Sequence, residues 1–106
     1  MSAFARVSDL VAFSPEKMRK QNVFDSANMF CDVYCLEPGQ QQSAHAHAGS
    51  DKVYYVLDGM ADVRIGDETR RLGAGEAAHA GPGVAHALSN PGPARLIVLV
   101  FMAPKP

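Results

Sequence analysis

From residue 29 onward, short apolar or alternating segments recur between Gly, Pro, Asn and Asp, the punctuation that bounds β-strands. Met29–Leu36 is apolar and rich in β-formers, and stops at Pro38-Gly39. Lys52–Leu57 follows, with Asp58-Gly59 behind it as a hairpin signal. Met60–Ile65 alternates, with Asp62 and Arg64 on one face, and ends at Gly66-Asp67. Glu68–Leu72, Ala77–Ala80 and His86–Ser89 are further short segments, and Arg95–Met102 closes the series. The uninterrupted apolar run Leu96 to Ala103 predicts a strand buried on both faces. Upstream, only Ser14–Gln21 reads as helical, with Ser14 as N-cap, Pro15 at the first helical position and Glu16 in the first turn. Many short strands and one short N-terminal helical turn predict an all-β domain, a sandwich or barrel over residues 29–106, preceded by an N-terminal segment, 1–28.

The length of 106 residues suits one domain with a core of its own. Ten Lys+Arg against eleven Asp+Glu leave a formal charge of −1, and apart from Lys17, Arg19 and Lys20 the basic residues are scattered. No basic face means no footprint for nucleic acid. The longest apolar run falls far short of the roughly 18 residues of a membrane helix, so no membrane span is expected. The opening MSAFARVSDLVAF lacks the apolar core and cleavage site of a secretory signal. Cys31 and Cys35, on one strand, stand about 13 Å apart, beyond the roughly 7 Å a disulfide tolerates. Reduced thiols fit a cytoplasmic protein. The N-terminal segment carries Phe4, Val7, Leu10, Val11, Phe13 and Phe24, more than a barrel of this length readily buries, which predicts a homodimer in which this segment pairs with a neighbour's sheet edge.

The chemistry concentrates in four histidines, at 45, 47, 79 and 86. In His45-Ala46-His47, a strand's period of two puts both imidazoles on one face, able to converge on one ion. The competing reading is a pair of surface histidines in a polar loop, since Gln40-Gln41-Gln42-Ser43 precedes them. Gly39-x5-His45-x-His47 followed by Gly59 resembles the first motif of the cupin superfamily, and Gly75-x7-Gly83-x2-His86-x3-Asn90 resembles the second. The resemblance covers about three quarters of the chain. It implies a jelly-roll barrel, or double-stranded β-helix, of about six to eight strands. It further implies His45, His47 and His86 as ligands of a divalent transition metal (Fe, Mn, Ni, Cu or Zn) and a small-molecule ligand. Such domains include metal-dependent dioxygenases and isomerases, and also non-catalytic binding modules.

Two positions depart from the pattern. Counting back from Gly59, Lys52 stands where the family has a glutamate ligand, while the family's shorter spacing lands on Asp51. Only one of these neighbours can face the pocket of a regular strand. Asp51 would supply the missing carboxylate as a metal ligand; Lys52 would hold an anion near the metal, with Tyr54, of the same parity, lining the pocket beside it. Gly81, followed by Pro82, replaces the family's proline and leaves the turn before His86 intact. His79, among small side chains, is a candidate acid or base in the pocket or a donor behind the ligands.

Overall fold

The computed structural model describes residues 2–106. It contains one 3-10 helical turn, Val7–Leu10, followed by nine strands: β1 (Arg19–Asp25), β2 (Phe30–Leu36), β3 (Gln41–His45), β4 (Asp51–Asp58), β5 (Met60–Ile65), β6 (Glu68–Gly73), β7 (Ala77–Ala80), β8 (His86–Ser89) and β9 (Leu96–Ala103). They form two antiparallel sheets packed face to face, one ordered β1-β2-β9-β4-β7 and the other β3-β8-β5-β6. This is the double-stranded β-helix that the resemblance implies, with nine strands in place of the roughly six to eight expected. No helix among the described residues is long and apolar enough to cross a membrane.

Between the sheets lies a core of Tyr34, Leu36, Tyr54, Val56, Ala61, Val63, Leu72, Leu88, Leu96, Val98 and Val100. Even-numbered residues of β4 and β9 supply five of these eleven, as the two-residue period requires. The alternation also corrects the reading of β9. Leu96, Val98, Val100 and Met102 are buried, whereas Ile97 and Leu99 are half-buried and Phe101 is exposed. The continuous apolar run therefore has one core face and one outer face.

Two further expectations are revised. The capping chemistry of Ser14 exists, with the Glu16 amide donating to its hydroxyl at 3.3 Å. No helix grows from it, because Arg19, Lys20 and Gln21 pair instead with Cys35, Tyr34 and Val33 of β2. A single turn is a poor nucleus, and a full ladder of strand hydrogen bonds outcompetes it. Lastly, Asp58-Gly59 is no hairpin: β4 pairs with β7 and β9, β5 with β6 and β8, so this turn carries the chain between sheets. Gly59 makes the crossing with φ +87°, and a Cβ there would collide with the Arg95 carbonyl oxygen. Val7, Leu10, Val11, Phe13 and Phe24 half-bury on this chain, leaving Phe4 exposed.

Candidate metal centre and ligand cavity

His45 ends β3 and His86 begins β8, and the two are direct partners in the ladder. His47 lies two residues further on, in the loop after β3. The Gly83 amide donates to the His47 carbonyl at 2.8 Å, tying this loop to the turn that leads into β8. The three side chains offer ligand atoms that all lie within 4.8 Å of one another.

The ring orientations specify what those atoms can do. His45 Nδ1 lies 2.8 Å from the Ser43 carbonyl oxygen, and His86 Nδ1 lies 3.0 Å from that of Val84. A carbonyl only accepts, so both Nδ1 atoms carry the proton and both Nε2 atoms present lone pairs. Those Nε2 atoms face each other at 3.1 Å. Two lone pairs at that distance repel unless a cation sits between them. Ligands about 2.1 Å from one ion and at right angles stand about 3.0 Å apart, so the spacing fits a transition metal. The backbone carbonyls behind the rings are the usual means of fixing a ligating histidine's tautomer. Burial, and the charge of neighbouring side chains including Lys52, lower the pKa of His86 and of His47, favouring the neutral form that binds metal.

Lys52, and not Asp51, faces this cluster. Lys52 is 2% exposed, with Nζ 3.4 Å from Gln42 Oε1 and 3.5 Å from His45 Nε2. It also lies 5.6 Å and 5.2 Å from the ring centroids of Tyr34 and Tyr54. Its register partner on β7 is Ala80, whose small side chain leaves room for the lysine stem. Burial, reinforced by the charge of Lys20 and opposed by Asp32, brings the ammonium pKa down to about 8. Asp51 occupies the opposite, outer face of β4. There its carboxylate meets His79 Nε2 at 2.7 Å. Neither belongs to the histidine cluster. His79 instead lines a separate cavity of about 490 Å³ alongside β6 residues such as Arg70 and Leu72. Tyr54 points inward as its parity requires, fully buried below the cluster, and its hydroxyl donates to Gln42 Oε1 at 2.7 Å.

The centre opens on a cavity of about 400 Å³ lined by Lys20, Phe30, Tyr34, Gln42, His45, His47, Lys52, Met102 and Pro106. Gln42, Tyr34 and Lys20 are residues that sequence reasoning missed. Gln42 has the opposite parity to His45, but a bulge lies between them: Gln42 pairs with Leu88 and His45 with His86, three residues spanning two. A bulge re-aims a side chain, and here it turns Gln42 inward beside the histidines. Lys20 and Tyr34 are register partners on β1 and β2, brought to the cavity by the strand that replaces the expected helix.

Residues 32–101 match the Cupin domain family. The crystal structure of TT1209 from Thermus thermophilus superposes with a TM-score of 0.95 at 43% identity, covering 99% of this chain and all of that one. An uncharacterised protein with a double-stranded β-helix domain from Klebsiella pneumoniae gives 0.90 at 28% identity, over 98% of this chain and 91% of its own. The tetracenomycin polyketide synthase protein TcmJ of Streptomyces glaucescens is 36% identical over 74 residues, 67% of this chain; the matched region is half of TcmJ's length. The match spans all three clustered histidines, and the chain belongs to the cupin family.

Proposed function

We propose that this cupin binds one divalent transition metal through His45, His47 and His86 and uses it, together with Lys52, to hold a small carboxylate or enolate. The observation that carries the reading is the 3.1 Å approach of two Nε2 atoms whose Nδ1 partners both donate to backbone carbonyls. A metal on three neutral histidines keeps open coordination positions and supplies Lewis-acid polarisation to whatever oxygen occupies them.

The anion follows from Lys52. Where the related pattern has a glutamate, this chain has an ammonium 3.5 Å from a ligand nitrogen. At about 4 Å and an effective dielectric near 20, each pair of unit charges is worth about 4 kcal/mol, so a divalent ion and a lysine in one cavity repel strongly. An anionic group between them converts the repulsion into two attractions. Gln42 and the two tyrosine rings hold the ammonium in position. The likeness to a polyketide synthase protein supports a small organic ligand. Isomerase or dioxygenase turnover of that anion is the enzymatic form of this reading.

Metal content of the purified protein, followed by calorimetric titration, tests it. Stoichiometric metal is expected, lost on replacing any one of the three histidines by alanine while the circular dichroism spectrum is kept. Lys52→Glu should bind metal more tightly and lose affinity for small carboxylates. Full occupancy in all three histidine variants, or unchanged carboxylate affinity in Lys52→Glu, overturns the proposal.

A further inference from the structure

Lys52 is not the only cation at this cavity. Lys20, on β1, stands opposite Tyr34 in the ladder, and its Nζ lies 5.3 Å from the centroid of the Tyr34 ring. Lys52 approaches the same ring from within the barrel at 5.6 Å. Through that shared ring the two ammoniums lie within about 11 Å of each other. Both line the cavity of about 400 Å³, and among the described residues no aspartate or glutamate side chain lines it. Asp32 of β2, whose charge acts on Lys52, accepts a hydrogen bond from Asn22 Nδ2 at 2.9 Å. Lys20 joins none of the ion pairs among the described residues, which engage Arg70, Arg71, His79, Arg95 and Lys105. It also forms the wall shared with a neighbouring groove that carries Lys17 and Arg19 with Glu16.

We infer, building on the metal and anion reading above, that the ligand carries two acidic groups, one held between the histidine cluster and Lys52 and the other by Lys20. One carboxylate cannot serve both ends: it balances the charge at the cluster and leaves Lys20 at the mouth with no partner. A short dicarboxylate spans the two positions and meets a fixed cation at each. Lys20 is then the residue that separates dicarboxylates from monocarboxylates. Its hold is weaker than that of Lys52, because Lys20 is exposed and salt screens it.

The test uses the full chain loaded with one equivalent of Zn²⁺, titrated calorimetrically with succinate, glutarate and butyrate at constant low ionic strength. The wild type should bind one of the dicarboxylates at least about tenfold more tightly than butyrate. Lys20→Met, which keeps an apolar stem over Tyr34, should bring that acid down to the butyrate value, with metal stoichiometry and butyrate affinity unchanged. Butyrate binding without any dicarboxylate preference, or a preference that survives Lys20→Met, overturns the two-acid inference alone. Failure of all three acids to bind overturns the anion reading as well, and failure to take up Zn²⁺ overturns the metal reading on which both stand.

Discussion

Gln42 shows how much of the site hangs on one neutral side chain. Its Oε1 accepts from the Tyr54 hydroxyl at 2.7 Å and from Lys52 Nζ at 3.4 Å, all three residues being buried. Gln42→Ala leaves a phenol and an ammonium in the barrel without that acceptor. Unmet buried donors cost about 1–3 kcal/mol each, so chemical denaturation should show a loss of that order. Gln42→Glu is the sharper variant. It places a carboxylate against Lys52 and competes with any anionic ligand for that charge. Carboxylate affinity should fall while the fold and the metal stoichiometry hold; affinity equal to the wild type would show that the Lys52 charge is no anchor. The sequence announces the histidines and the lysine because spacing and a broken motif expose them. Gln42 is hidden because its parity is wrong until the bulge before His45 is known, and a bulge leaves no mark in residue type.

At the scale of elements, segments with strong local chemistry were legible: Met60–Ile65, Ala77–Ala80 and His86–Ser89 coincide with β5, β7 and β8. β1 and β3 were not. RKQNVFD and QQSAH are largely polar, and both become strands through pairing, with β2 and β8 respectively, rather than through propensity. The cavity's Lys20 and Gln42 come from these two strands, so local pattern could not show these two lining residues. The crossing at Gly59 is the complementary case, read correctly as a turn and wrongly as a hairpin. Its φ of +87° and the Arg95 carbonyl oxygen pressed against the missing Cβ leave no room for another residue. Gly59→Ala combines a disfavoured backbone conformation with a backbone clash, and should cost at least about 2 kcal/mol. A thermal midpoint unchanged from the wild type would contradict this account of how the chain passes between sheets.

At the scale of the whole molecule, the outer face of the five-stranded sheet is covered unevenly. Over β1 and β2 the N-terminal segment lies close, with the Ala12 backbone beside the Cys35 thiol, and Val33 and Cys35 are fully buried. Over β4 and β9 the cover among the described residues is thinner: Tyr55 and Phe101 are each 39% exposed and Leu57 is 37% exposed. Register pairs Tyr55 with Leu99 and Val53 with Phe101, so these side chains form one continuous apolar patch. Patches of this kind on a small domain mark contact surfaces. A second copy of the chain is the cover we propose, because a flat sheet face can meet itself across a two-fold axis with the same residues on both sides. The N-terminal segment covers its own β2 and leaves Phe4, 85% exposed, free to reach across. Light scattering at micromolar concentration should report a dimer. Tyr55→Glu combined with Phe101→Glu puts four like charges into a two-fold contact and should yield a monomer with unchanged circular dichroism and metal stoichiometry. A monomeric wild type would remove the dimer, and a dimeric double variant would place the interface elsewhere on the molecule.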